Sequence, residues 1–185
     1  MIHYDEIKKL LSIVNSMREP FNHHGDHVAG LAVKLARELG LPEDEVNLIV
    51  IGAHLHDIGK LLIRTELLNC PRKLTQSERA EMETHVMLGW AVANAAGYES
   101  TIQDIVRSHH ENWDGSGYPD GLTGEKIPVA VQVVTVCDVY EALTSTRSYR
   151  EAYSHSFSMA FMQKFKGKHF NPSLVDLFFE KVKHE

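Results

Sequence analysis

The amino-acid sequence predicts an all-α domain. Apolar residues recur at intervals of three and four in successive segments, capping residues mark several segment ends, and only one segment has strand-like composition. With 185 residues and no internal repeat or linker, the chain fits one domain that needs neither disulfides nor a structural metal to fold. We expect an N-terminal helix within residues 1–20, followed by the domain proper over residues 21–185.

Helix-start and helix-stop residues place the elements. Gly40 ends one helix and Pro42, followed by acidic residues, opens the next. Thr75 with Glu78 resembles a capping box, and Asn171 with Pro172 caps the last helix. The helices are predicted over residues 3–18, 23–39, 42–57, 75–96, 100–110, 128–145 and 172–183.

The segment 129–145, VAVQVVTVCDVYEALTS, is the one whose composition is ambiguous. Its valines favour a strand. Pro128 is well placed to open a helix, however, and the run is too long for a typical strand. We therefore interpret it as a buried helix.

The composition narrows the classes of partner. The apolar fraction of 43% and charged fraction of 24% are ordinary for a globular protein, and the net charge of -6 with scattered Lys and Arg argues against duplex nucleic acid. No apolar run has membrane-spanning length, and the N-terminus does not resemble a signal peptide. The two cysteines, in no CxxC pair, suit a reducing compartment, so we expect a cytoplasmic protein without a membrane partner.

Two histidine motifs stand out among the 12 histidines. His56 and Asp57 follow an apolar helical run and can offer an imidazole and a carboxylate to a divalent metal, although a bare His-Asp pair would more often simply cap a helix. His109 and His110 end a helix and can face two neighbouring metals. Alone, that pair would more often be a solvated helix end.

Three further residues support a metal centre. His27 and His85 lie at interior positions of amphipathic helices, where a single histidine is more often a hydrogen-bonded core residue. Asp138 lies in the most apolar segment, where an unpaired carboxylate would be costly. Together, five helices each supply an imidazole or a carboxylate, which is hard to explain without metal.

These motifs closely resemble the HD-GYP family, a branch of the HD phosphohydrolases. The resemblance rests on HDIGK (56–60), HHENWDGSGYP (109–119) and CDVYEALTSTRSYR (137–150), and extends over about residues 20–180. It implies an HD-type bundle of about seven to eight helices with an ordered glycine-rich GYP loop. It also implies hydrolysis of the second messenger cyclic di-GMP to pGpG or GMP by a hydroxide activated at two metals.

The resemblance also assigns residues. The divalent metals, iron or manganese, would be held by His27, His56, Asp57, His85, His109, His110 and Asp138. Asp57 would bridge the metals and act with Lys60 in catalysis. Lys60, Tyr118, Arg147 and Arg150 would bind the cyclic dinucleotide. A protein partner at the GYP loop and a homodimer are further implications.

The number of metals depends on His23, one helical turn before His27. An imidazole there could complete a third metal site. Related three-metal proteins have a carboxylate at this position, whereas imidazole is neutral and supplies no negative charge to offset a third cation, so we expect two metals. His24 and His54 fall on other helix faces, and we interpret both as non-ligands.

The family pattern is not complete. Leu62, Arg64, Cys70 and Arg72 replace residues usual in that family, which leaves substrate choice open. A hybrid cyclic dinucleotide or another nucleotide is therefore an alternative substrate. A module that binds cyclic di-GMP or a protein without hydrolysis is a second alternative, although no ligand of the two dipeptide motifs is lost.

Overall fold

The computed structural model describes residues 24–146 and 151–183. The predicted helix over residues 3–18 and the proposed N-terminal segment 1–20 lie outside these ranges. The α-helices are α1 His24–Glu38, α2 Glu43–Leu55, α3 Thr65–Leu68, α4 Gln76–Glu83, α5 His85–Ala95, α6 Ser100–Ser108, α7 Val129–Thr144, α8 His155–Lys164 and α9 Pro172–Leu177.

Short 3₁₀ and π turns accompany the α-helices in the described residues. Ile58–Leu62 and Gly124–Lys126 form 3₁₀ turns, and Phe178–Val182 forms a π turn. The described residues contain isolated β-bridges but no β-strand. The all-α prediction is confirmed.

The capping signals act as the sequence indicates. The Thr75 hydroxyl accepts a hydrogen bond from the Glu78 backbone N–H, and the Glu78 carboxylate accepts one from Thr75 N at 2.8 Å. Asn171 accepts from Ser173 N at 3.0 Å, with Pro172 in the first turn. Each cap satisfies backbone donors that the helix itself leaves unpaired.

Some helix boundaries differ from the predictions. The single helix predicted over 75–96 is two helices, because the chain turns at Thr84, whose hydroxyl donates to the Glu81 carbonyl at 2.6 Å. The helix α8, which starts at the N-cap Ser154, was not predicted. Its apolar residues are partly exposed, so the helical periodicity in the sequence is weak.

Helix α7 is the centre of the bundle. It contacts α1, α2, α6, α8 and α9, and nine of its residues are buried. Val131, Val133 and Val134 are fully buried, which explains a composition that resembles a strand. The interpretation of this segment as a buried helix is confirmed.

The 3₁₀ turn after α2 packs very closely on α5. A Cβ atom at Gly59 would lie 1.9 Å from the His85 carbonyl oxygen and 2.5 Å from Gly89 N. Only glycine permits this approach. The contact brings the end of α2 next to the start of α5.

Within residues 24–146 and 151–183, no helix combines the length and hydropathy required to span a bilayer.

Candidate metal centre

Histidine and aspartate side chains from five elements converge at one point of the bundle. The elements are the first turn of α1, the end of α2, the start of α5, the end of α6 and the middle of α7. The side chains form two groups that share Asp57. We call them site 1 (His24, His56, Asp57 and Asp138) and site 2 (Asp57, His85, His109 and His110).

Site 2 contains three imidazoles and one carboxylate. Its donor atoms all lie within 4.8 Å of one another. The Oδ1 atom of Asp57 lies 3.5 Å from His85 Nε2 and 3.7 Å from His109 Nε2, and these two nitrogens are 3.5 Å apart. Ligand atoms about 2.1 Å from one metal ion are separated by roughly 3.0–3.5 Å, so the spacing suits a divalent cation.

Site 1 has two imidazoles and two carboxylates. His24 Nε2 lies 3.1 Å from Asp138 Oδ1, and His56 Nε2 lies 3.8 Å from the same oxygen. His56 Nε2 is also 3.5 Å from Asp57 Oδ2. Because Asp57 directs Oδ1 toward site 2 and Oδ2 toward His56, its carboxylate has the orientation of a bridging ligand.

The ring orientations of the buried histidines leave nitrogen lone pairs facing the centre. The Nδ1 atoms of His56, His85 and His109 contact backbone carbonyl oxygens one turn earlier, at 2.7, 2.8 and 3.1 Å. A carbonyl only accepts, so each Nδ1 is a donor, and in the neutral form of such a ring the lone pair lies on Nε2. This arrangement orients the ring of a metal-binding histidine.

The electrostatics favour neutral imidazoles beside ionised carboxylates. Burial lowers the pKa of His56 and of His85 to about 4. Burial acts to raise the pKa of Asp57, but Lys60 and the neighbouring imidazoles outweigh it and hold this pKa well below its usual range. Both protonation states are those required for metal binding.

His24 differs from the other histidines. Burial tends to lower its pKa, but hydrogen bonds to Asp138 and Glu141 raise it to about 9. Without a metal, a proton on His24 therefore offsets part of the negative charge of these two carboxylates. A divalent cation at site 1 would take over that role and release the proton.

Two buried atoms test whether a metal fits. Among the described residues, His56 Nε2 and Asp57 Oδ1 are buried and have no hydrogen-bond partner. An unpaired buried polar atom is costly in free energy. A cation at each of the two sites would satisfy these atoms, so the donor set fits divalent metal ions.

Lys60 lies at the edge of this cluster. Its ammonium donates to Asp57 Oδ2 at 2.6 Å, and its side chain is 23% exposed. The Lys60 ammonium is therefore held by Asp57 of the cluster and is also accessible from solvent.

The structure does not bring His27 into the cluster. Its side chain is 65% exposed, with Nδ1 3.7 Å from Glu141 Oε1. His24, which the sequence interpretation treats as a non-ligand, is the α1 histidine that faces Asp138. The reason is helical geometry: His24 lies on the stripe of the fully buried Val28 and Ala32.

Other candidate residues are placed as follows. His54 Nδ1 lies 3.4 Å from Asp26 Oδ1, apart from both sites. His23, Arg147 and Arg150 lie outside the described residues, so the predicted third-metal and guanidinium contacts are not tested.

The GYP loop covers one side of the cluster. The Tyr118 ring stacks on His110 with centroids 4.9 Å apart, and Tyr118 N donates to the His110 carbonyl at 3.2 Å. A Cβ atom at Gly117 would lie 2.3 Å from Asn112 N, so the loop packs directly on the backbone that follows the histidine pair. Tyr118 is thus held beside site 2.

Glu111, which the sequence interpretation missed, fixes this loop. It is 2% exposed, and its carboxylate accepts hydrogen bonds from the backbone N–H groups of Asp120, Gly121 and Leu122 at 2.7, 3.1 and 3.0 Å. Its place directly after the histidine pair is the only feature of the sequence that points to a role for Glu111, since most glutamates are exposed and a buried one cannot be recognised from the sequence.

Two of the unusual residues near the site have a structural role. Arg64 forms a two-point pair with Glu81 at 2.7 Å, and Arg72 forms one with Glu78, also at 2.7 Å. These pairs link the segment after the 3₁₀ turn to α4. Exposed ion pairs of this kind contribute little energy but define geometry.

The sequence is similar to a known domain family and to known proteins over most of its length. The HD domain family profile matches residues 8–174. The chain is 42% identical over 153 residues to the cyclic di-GMP phosphodiesterase response regulator RpfG of Xanthomonas campestris, covering 81% of this chain and 39% of that protein. It is 34% identical over 187 residues to 3'3'-cGAMP-specific phosphodiesterase 2 of Vibrio cholerae, covering 97% of this chain and 36% of the relative.

The fold is also that of a solved structure. Bd1817, an HDG"Y"P protein from Bdellovibrio bacteriovorus, superposes with a TM-score of 0.72 at 20% identity, covering 95% of this chain and 61% of the other. At this identity the likeness shows the fold alone. By length, the chain spans well under half of each of the two sequence relatives described above.

Proposed function

This chain belongs to the HD domain family, and we propose that it is a metal-dependent phosphodiesterase of cyclic dinucleotides in the HD-GYP branch. The observation that carries the proposal is the shared carboxylate of Asp57, with Oδ1 facing site 2 and Oδ2 facing site 1. Paired metals bridged in this way serve hydrolysis of phosphate esters. The relatives named above act on cyclic dinucleotides, which supports this substrate class.

The residues around the centre have complementary roles. When bound, the metals would lower the pKa of a water molecule and neutralise charge on the phosphate oxygens. His24, His56 and Asp138 would hold one ion, and His85, His109 and His110 the other. Lys60, beside Asp57, would stabilise the negative charge that develops on phosphate or give a proton to the leaving 3′ oxygen. Tyr118, beside His110, would contact the bound ligand.

Within this class we propose cyclic di-GMP as the substrate, two iron or manganese ions as the cofactors, and pGpG or GMP as the product. Arg147 and Arg150 would contact phosphate or guanine edges through their planar guanidinium groups. The purified chain, loaded with Fe²⁺ or Mn²⁺ under anaerobic reducing conditions, should convert cyclic di-GMP to these products on chromatography. Absence of turnover with both metals would refute the proposal.

A second substrate has specific support. A relative that matches 97% of this chain is named for 3'3'-cGAMP. Comparison of kcat/KM for cyclic di-GMP and 3'3'-cGAMP with the same metal-loaded protein separates the two. If kcat/KM for 3'3'-cGAMP exceeds that for cyclic di-GMP by more than about tenfold, or ~1.4 kcal/mol in transition-state binding, 3'3'-cGAMP is the preferred substrate and the first proposal is wrong.

A binding module without catalysis is the alternative from another class. It predicts that calorimetry detects cyclic di-GMP binding while no product forms during long incubation with metal. The complete donor set of both sites favours catalysis instead.

A further inference from the structure

Glu141 lies behind His24, on the side of the ring away from the cluster. Its Oε2 atom contacts His24 Nδ1, whereas His24 Nε2 faces Asp138 Oδ1 at 3.1 Å. Glu141 is 5% exposed and lies on α7, one turn after Asp138. The same helix face therefore supplies a carboxylate to each nitrogen of His24.

The Glu141 carboxylate is itself fixed. The Ser145 hydroxyl at the end of α7 donates to Oε1 at 2.6 Å, and His27 Nδ1 lies 3.7 Å from the same oxygen. Glu141 contacts His24 Nδ1, whereas Asp138 and the rest of site 1 lie on the Nε2 side of the ring. The imidazole of His24 separates Glu141 from the centre, so this carboxylate acts through His24 and does not itself ligate.

The partner of Nδ1 distinguishes His24 from the other ring ligands. His56, His85 and His109 use backbone carbonyls, which are neutral. His24 alone among these four uses a carboxylate. A carboxylate on Nδ1 fixes the tautomer and increases the basicity of the opposite nitrogen, which strengthens the bond from that nitrogen to a metal.

We propose that Glu141 is a positioning residue that orients His24 and strengthens metal binding at site 1 alone. The inference rests on the metal centre of the proposed function, but it does not need the proposed substrate. Site 2 provides the internal reference, because the imidazoles of His85 and His109 contact backbone carbonyls instead.

The two sites can be separated by titration of metal-free protein with Mn²⁺, with free Mn²⁺ followed by electron paramagnetic resonance. Glu141→Gln retains an amide oxygen that can accept from His24 but lacks the charge, and Glu141→Ala removes both. We expect affinity at one site to fall in the order wild type, Glu141→Gln, Glu141→Ala, by about 10–100-fold for the alanine variant, with the second site unchanged. Ser145→Ala, which removes only the support of the carboxylate, should cause a smaller loss at the same site.

A purely structural role gives a different result. Equal weakening of both sites with a lowered Tm, or wild-type affinities in both glutamate variants, would overturn the proposal. If Glu141→Ala does not fold, Glu141→Gln carries the comparison, because it preserves side-chain size. Mn²⁺ binding at two sites without turnover of either cyclic dinucleotide would refute the proposed function and leave the role of Glu141 intact. Failure of the wild type to bind Mn²⁺ would overturn both.

Discussion

His24 Nε2 lies 3.1 Å from Asp138 Oδ1, and this contact joins the first turn of α1 to the middle of α7. It completes site 1 with a histidine whose neighbour along the helix, His27, is exposed. The choice between the two histidines has consequences that can be measured.

His24→Ala should remove one metal, and His27→Ala should not. Elemental analysis of manganese-loaded protein should give about two ions per chain for the wild type and for His27→Ala, and about one for His24→Ala, because His24 supplies a donor to site 1. The two variants are matched, since they remove the same side chain from positions three apart on α1. Loss of metal in His27→Ala but not in His24→Ala would contradict the geometry.

Lys60→Ala should reduce catalysis without loss of metal. The ammonium donates to Oδ2 of Asp57, and its proposed task is to stabilise the negative charge that develops on phosphate. Removal of such a group costs about 10²–10³ in kcat. Steady-state kinetics on the metal-loaded protein measures this, and Lys34→Ala on the exposed face of α1 is the control. An unchanged kcat for Lys60→Ala would exclude the role.

Glu111→Gln should displace the GYP loop and leave the metals in place. An amide has one acceptor oxygen and presents an NH₂ group toward backbone donors, so part of the three-bond anchor is lost. We expect a loss in unfolding free energy of about 1–3 kcal/mol from denaturant titration and a raised KM, with two metals retained. Glu125→Gln, at an exposed site in the turn that follows, should change neither quantity. Loss of metal in Glu111→Gln would indicate a wider role than loop positioning.

Gly59→Ala should destabilise the protein strongly. Its Cβ would lie 1.9 Å from the His85 carbonyl oxygen, so the 3₁₀ turn or α5 must move, at a cost of roughly 2 kcal/mol or more. For a domain of this size, Tm should fall by at least about 4 °C in calorimetry. Gly30→Ala is the control: nothing lies within 4 Å of its Cβ, and alanine in a helix should raise stability by about 0.5–1 kcal/mol. A Tm for Gly59→Ala equal to that of Gly30→Ala would contradict the close packing.

Much of the fold follows from local sequence. The caps at Thr75 and Asn171 and the proline before α7 act within one turn of chain, and the structure has them where the sequence indicates. Two features were not predicted from sequence: helix α8, and the turn at Thr84 that divides the helix predicted over residues 75–96. Phe157 and Met159 of α8 are exposed, so this helix lacks the one-sided apolar pattern by which a helix is identified from sequence.

For the metal centre, the residue types and motifs could be identified from the sequence alone: the His-Asp pair, the His-His pair and an aspartate within the valine-rich segment. Which α1 histidine faces Asp138 depends on how α1 docks on α7, because a rotation of about 100° per residue places His24 toward α7 and leaves His27 exposed. Glu111 and Glu141 were likewise beyond sequence reasoning. Their functions depend on the backbone donors of a distant loop and on the ring of a histidine from another helix, and such contacts exist only after the chain has folded.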